Sequence, residues 1–322
     1  TKPVKTGYTF KGYYTKENGQ GDQIITADGY ITDKITNTTY TANATLYAYY
    51  TANTYTVTYN SNGGTGTMSN DTATYDANFI TTKNAFARTG YTFNGWNEKS
   101  DGTGTVWGLT TSGVYESGKS WKWTYTKNIT LYAQWKINSY TLTVNPNGGT
   151  WNNSTNASTI TQNYGTTYTL ANPTKTGYKF DGWTLSGKGS LNGSTYTFGD
   201  GAGTLTANYI ANAYTISLNG NGATTAGTTA IYEKYNTGIY LDSVLANAMT
   251  TTTNPIAKPT RSYTVSFNAN NTGITVPSAI TKSYSYSGHY TDAASGTQMI
   301  NENGYITSSF TKTSYTANAT LY

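Results

Sequence analysis

Tyr55-Thr56-Val57-Thr58-Tyr59 alternates apolar and hydroxylated side chains, and Asn62-Gly63-Gly64 follows shortly after it. Apolar residues at i, i+2 and i+4 are the period-two signature of a half-buried strand. Asn and Gly supply the positive φ that a tight turn demands. The same opening recurs as Tyr140-Thr141-Leu142-Thr143-Val144 before Asn147-Gly148-Gly149, and as Tyr214-Thr215-Ile216-Ser217-Leu218 before Asn219 to Gly222. A further copy of the strand reads Tyr263-Thr264-Val265-Ser266-Phe267. The fold is therefore read from repeats, each beginning with a strand and a turn.

Two more elements recur in fixed order. Gly7-Tyr8-Thr9-Phe10-Lys11-Gly12-Tyr13, Gly90-Tyr91-Thr92-Phe93-Asn94-Gly95-Trp96 and Gly177-Tyr178-Lys179-Phe180-Asp181-Gly182-Trp183 place Tyr and Phe two apart, on one strand face. The second Gly of each predicts a bulge or close backbone approach that re-aims the next aromatic. A degenerate copy reads Tyr284-Ser285-Tyr286-Ser287-Gly288-His289. Each unit closes with a strand such as Ala44-Thr45-Leu46-Tyr47-Ala48-Tyr49, Ile129-Thr130-Leu131-Tyr132-Ala133-Gln134-Trp135, Leu205-Thr206-Ala207-Asn208-Tyr209 or Ala319-Thr320-Leu321-Tyr322.

These elements divide the chain into the C-terminal half of a repeat at 1–53, full repeats at 54–137 and 138–211, and an irregular segment at 212–322. The last segment has two opening runs and one closing strand. It reads as one repeat with an inserted hairpin or as two short repeats, and the single closing strand favours insertion. Tyr240, Val244, Leu245, Ala248 and Met249 recur at helical spacing, which predicts a helix over 240–249. Tyr40 to Tyr47 returns unchanged as Tyr315 to Tyr322, so a longer period overlies the short one. Linkers of about four residues leave neighbouring repeats little freedom and predict an elongated, semi-rigid array. The chain opens inside a repeat without a start methionine or leader, and is expected to be a piece of something longer.

Composition agrees with a β-rich chain. Hydrophobic residues make up 36% and aromatic residues 15%, with 32 tyrosines, so cores must be built from rings. A buried ring removes roughly 150–250 Å² from water, on the order of 4–6 kcal/mol before ordering entropy is subtracted. Charged residues are only 11%, and Thr, Asn, Gly and Ser fill the surface. Disordered chains show the reverse balance. The net charge of +5 is spread without a basic stripe, which argues against nucleic acid as a partner. No apolar run reaches the length of a membrane span, so no membrane insertion is expected of this segment. Zero cysteines exclude disulfides, thiolate metal sites and Cys nucleophiles.

The strand ending in Asn-Gly-Gly, then Thr-Gly-Tyr-x-Phe-x-Gly-Trp, then Ile-Thr-Leu-Tyr-Ala-x-Trp resembles the Listeria–Bacteroides repeat, also called the internalin B repeat. The match is close over Tyr55 to Trp135, good over Tyr140 to Tyr209, half present in 1–51 and weakened in 212–322. The resemblance implies a mainly β, small α+β fold: tandem β-grasp-like domains, each a curved sheet crossed by a short helix. It also implies secreted or wall-attached bacterial proteins, in which such repeats act as spacers and sometimes in adhesion. It carries no catalytic residues over to this chain.

Residue types that carry chemistry are sparse and scattered. His289, the one histidine, aligns with Tyr13, Trp96 and Trp183, a packing position. The 15 carboxylates are scattered; Asp101-Gly102-Thr103-Gly104 and Asp200-Gly201-Ala202-Gly203 supply one acid each where calcium wants several, so they read as turns. A Lys–Asn isopeptide bond would need an adjacent buried acid. No enzyme activity, metal or cofactor is expected. Trp107, Trp121, Trp123 and Trp151 lie outside the shared motifs; they are the candidate ligand-contact residues, with local packing as the competing reading. The leading functional expectation is an extracellular spacer or stalk of a bacterial surface adhesin, whose partners are the neighbouring repeats. Direct adhesion to a glycan or host surface protein through exposed aromatics is one alternative, and self-association into an extracellular filament is another.

Overall fold

Alternation in the opening strands becomes burial in alternate positions. In Thr54–Asn60, Val57 and Tyr59 point into the core while Thr54 and Asn60 face solvent, and Ser139–Asn145 repeats the pattern with Leu142 and Val144. The computed structural model describes residues 1–36, 39–107, 120–268, 275–293 and 295–322, and these are almost entirely β. By internal contacts the chain divides into Thr1–Tyr140 with Gln162–Thr166, and Thr141–Thr161 with Thr167–Tyr322.

In the first unit, residues 1–53 form a three-stranded antiparallel sheet in the order Gln23–Thr26, Tyr8–Tyr14, Tyr47–Ala52. The 54–137 repeat carries a five-stranded sheet in the order Asp71–Thr74, Thr54–Asn60, Ile129–Ile137, Tyr91–Asn97, Val106–Trp107. Its opening and closing strands are parallel neighbours at the centre, with Val57 opposite Ile129 and Tyr59 opposite Leu131. Flanking strands pair antiparallel with this centre, so the two most apolar strands lie where both edges are covered. Asn78–Ile80 and Ser120–Lys122 make a separate two-stranded piece.

The 138–211 repeat follows the same plan. Ser158–Asn163, Ser139–Asn145, Gly203–Ala211 and Tyr178–Gly187 form one sheet in that order, again with the opening and closing strands parallel at the centre. In 212–322 the sheet order is Ala248–Met249, Gly238–Tyr240, Ala230–Lys234, Ala213–Leu218, Ala319–Leu321. Ile216 pairs in parallel with Ala319, and one apolar cluster gathers Ile216, Ile231, Met249, Ile300 and Leu321. The second opening-like run is an arm of a separate hairpin, Arg261–Val265 with Ile280–Tyr284, all of it exposed.

The turns and bulges follow their residue types. Asn62, Asn147 and Asn221 adopt φ of 48°, 49° and 45°, and each takes its backbone N–H to the side chain of the Asn two residues earlier. The register slips at Gly12, Gly95 and Gly182, as the Gly-aromatic motif predicts.

Two expectations are corrected. Residues 240–249 are not helical: Gly238–Tyr240 and Ala248–Met249 are strands joined by a turn. The Asp242 carboxylate accepts the N–H groups of Ala246 and Asn247, and Leu245 sits at φ 61°, so the turn captures the groups a helix would use. The helix implied to cross each sheet is likewise absent among the described residues, whose single helical turn is the 3₁₀ turn Glu17–Gly19. The connection from Ile80 to Tyr91 runs as irregular chain.

Candidate functional site

The feature built three times over is the joint between consecutive repeats. Gly7, Gly90 and Gly177 open the Gly-aromatic strands, are buried, and hold φ of 75°, 78° and 77°. In each case a tyrosine ring from the following repeat lies flat on the glycine: Tyr75 on Gly7, Tyr164 on Gly90 and Tyr235 on Gly177. A Cβ at any of these glycines would overlap the ring, and the backbone conformation disfavours one independently.

The linker residue between each pair locks the contact. Asn53, Asn138 and Asn212 donate their N–H to the carbonyls of Gly7, Gly90 and Gly177, each at 2.9 Å. Their own carbonyls accept the N–H of Tyr75, Tyr164 and Tyr235, again at 2.9 Å. Each linker thus pairs backbone to backbone with the repeat before and the repeat after. Asn53 and Asn138 also accept side-chain bonds from Thr9 and Thr92.

Rings and cations complete the socket. The socket tyrosine meets the tyrosine after the glycine edge-on: Tyr8 and Tyr75 at 5.6 Å, Tyr91 and Tyr164 at 6.4 Å, Tyr178 and Tyr235 at 5.5 Å between centroids. Lys5, Arg88 and Lys175 cover the rings of Tyr8, Tyr91 and Tyr178 at 3.8, 4.1 and 4.9 Å. The residue after each socket tyrosine, Asp76, Gly165 or Asn236, has positive φ and turns the chain away. Tyr8 donates its hydroxyl to Asp76, and the Lys122 ammonium, helped by this bond, holds that carboxyl below its usual pKa. A net hydrogen bond contributes about 1 kcal/mol, and a ring or cation–π contact about 0.5–1.5 kcal/mol, so the groups at each joint favour the seated tyrosine.

The four tryptophans singled out from the sequence lie elsewhere. Trp107, Trp123 and Trp151 are 4%, 0% and 3% exposed, so their faces are not offered to solvent. Trp107, Trp121, Trp123, Phe79 and Tyr125 pack together in the 54–137 repeat, with Trp121 half-buried on its margin. Trp107 donates to Glu98 and Trp123 to the Tyr125 carbonyl, while Trp151, in the 138–211 repeat, donates to the Ala171 carbonyl. His289 is 2% exposed, and burial holds its imidazole below the usual pKa. Asp101 caps its own turn through the N–H and hydroxyl of Thr103, and Asp200 pairs with Lys188. Among the described residues no three His, Asp or Glu side chains gather as a metal site, and no helix is long and apolar enough to cross a membrane.

Glu233 was not legible from its type. It is fully buried in the sheet of 212–322, opposite Tyr214, where the 54–137 repeat places Ala73 opposite Tyr55. Its carboxylate accepts the N–H of Tyr315, and burial pushes its pKa up to about 7.

Comparison with known proteins matches the Listeria-Bacteroides repeat domain model to residues 1–49, 55–134 and 140–208. Two Evansella cellulosilytica proteins, whose provisional names describe them as a Gly-rich membrane protein and a membrane protein, are 32% and 34% identical over 56% and 57% of this chain. Internalin H of Listeria monocytogenes is 35% identical over 46% of it. The chain aligns with only 19%, 23% and 22% of these relatives' own lengths. No solved structure matches.

Proposed function

Because the chain belongs to the Listeria–Bacteroides repeat domain family, we propose that it is a non-catalytic spacer of a bacterial surface protein, its repeats stiffened one against the next by the tyrosine-on-glycine joint. The observation that carries this reading is the threefold recurrence of one joint, with the same backbone bonds, between consecutive repeats. A spacer needs resistance to bending at each junction and no distinctive pocket in each module. The joints supply the first through short linkers with both backbone groups engaged. An extracellular, wall-associated setting suits the family and the relatives' names, and a cysteine-free chain needs no redox partner there.

Small-angle X-ray scattering of the full chain tests the reading. A compact chain of this length would have a radius of gyration of roughly 20 Å. A spacer gives a clearly larger value, with a distance distribution skewed to long vectors; a value near the compact limit would reject it.

A further inference from the structure

A cleft of about 800 Å³ opens at the third joint, where the 138–211 repeat meets the 212–322 repeat. Every residue that lines it belongs to the second of the chain's two compact units. Its volume falls in the range of small-ligand sites. The half-buried rings of Tyr178, Phe180 and Tyr235 contribute apolar surface, and threonine hydroxyls and the Asn236 amide contribute polar groups. Among the described residues that line it, Lys175 carries the one charge and no acid is present.

Lys175 is held in place but not neutralised. Its ammonium donates to the Asn147 carbonyl at 3.0 Å and lies 4.9 Å from the ring centroids of both Tyr178 and Tyr209. An ammonium has three N–H donors, so this carbonyl leaves donors to spare. No carboxylate pairs with Lys175 among the described residues. The side chain is half-buried, and a charge partly withdrawn from water is screened less than an exposed one. A positioned cation of this kind favours an anion beside it.

The first joint supplies the internal comparison. There the residue after the socket tyrosine is Asp76, which accepts the Tyr8 hydroxyl, pairs with Lys122 and feels the charge of Lys5. The third joint has the corresponding rings and cation, but Asn236 stands in place of Asp76. The direction of the hydrogen bond reverses with it: the Asn236 amide donates to the Tyr178 hydroxyl at 3.3 Å. The first joint therefore carries its own anion beside the ring and cation, and the third offers a neutral amide at the edge of an open cleft.

We propose that this cleft binds an acidic saccharide, whose carboxylate accepts from Lys175 and whose sugar ring lies against Tyr178 and Phe180. The C–H surface of a pyranose suits aromatic side chains, and its hydroxyls suit the hydroxyls of Thr174, Thr176 and Thr313. Threonine and asparagine between the rings fit a hydroxyl-rich ligand better than the alternating side chains of an acidic peptide. The ligand touches both repeats, through Lys175 on one side and Tyr235 and Asn236 on the other, so it occupies the joint rather than a single module.

Saturation-transfer NMR titrations of the full chain at low salt test this with four probes: a hexasaccharide of alternating glucuronate and N-acetylglucosamine, its carboxyl methyl ester, sialyllactose and hexaglutamate. At least one acidic saccharide is expected to bind, and which one does separates a uronate polymer from a terminal sialic acid. The ester should bind about tenfold or more weakly, because it loses the charge-assisted bond. Lys175→Gln should lose affinity by a similar factor and Lys175→Arg should keep most of it. Asn236→Asp rebuilds the acid of the first joint and should weaken binding about tenfold or more, while slow amide exchange at Tyr235 shows the joint still closed. Absence of binding by both acidic saccharides overturns the proposal, as does an ester that binds as tightly as the acid. Full affinity in Lys175→Gln or in Asn236→Asp also overturns it. Hexaglutamate binding as tightly as the saccharides overturns it in favour of an acidic peptide.

Discussion

Replacing Glu233 with Gln should stabilise the 212–322 repeat at pH 8 and change it little at pH 4. Glu233 is 0% exposed, and burial raises its pKa from 4.5 to about 7. The folded state therefore holds a proton that the unfolded chain releases between these values. Stability is greatest below the unfolded pKa and declines as pH rises through the folded one, by at most about 1.4 kcal/mol per pH unit. Across the whole window the penalty approaches about 3 kcal/mol, and without the Tyr315 amide supporting the charge it would be larger. Gln keeps an acceptor for that amide and carries no charge. His289, in the same repeat, acts in the opposite sense, since burial lowers its pKa and costs stability as the pH falls. The wild-type profile is thus a composite, and the difference between wild type and Glu233→Gln isolates the carboxylate. All seven tryptophans lie before residue 212, so fluorescence does not report this repeat, and urea-dependent hydrogen exchange of residues 230–240 is the suitable assay. A mutant-minus-wild-type difference that stays flat from pH 4 to 8 would refute the reasoning.

Other perturbations follow from the same packing. Trp123→Ala removes a fully buried ring that contacts Phe79, Trp107 and Tyr125, and should cost the 54–137 repeat about 3–5 kcal/mol in denaturant unfolding followed by tryptophan fluorescence; a loss under about 1 kcal/mol would show that the cluster is not core. Asn62→Gly retains the positive-φ turn but forfeits side-chain bonds to Ser100 and Ala133, for an expected loss of about 1–2 kcal/mol in the same assay. No measurable loss there would mean that the turn amide does not hold the closing strand.

The strands were legible because their alternation is local and repeated: the side chains of Tyr55 to Tyr59 reveal one face by themselves. The region 240–249 misled because apolar spacing does not register a competing acceptor. Asp242 occupies backbone donors that a helix would need, and the clue was an acid placed just before Val244-Leu245 rather than the spacing itself. The joints were half visible. The glycine before each aromatic and the short linkers stood out, but Tyr75, Tyr164 and Tyr235 lie at different distances beyond their linkers. The recoverable signal was a tyrosine followed by Asp, Gly or Asn, residues that accept positive φ. Trp107, Trp123 and Trp151 lay outside the shared motifs because their repeats build extra core with them, which composition cannot separate from exposure.

A spacer of this kind requires the joint to hold one repeat firmly against the next, and the absence of native cysteines makes a direct measurement simple. Spin labels at Lys11→Cys and Lys83→Cys, exposed sites on either side of the first joint, report the distance between the two repeats by pulsed electron resonance. The wild-type joint should give one narrow distance distribution, and Gly7→Ala, whose methyl group displaces the Tyr75 ring, should broaden it severalfold while both sheets stay folded. A broad distribution in the wild type, or an unchanged one in Gly7→Ala, would contradict the claim that this ring-on-glycine contact stiffens the array.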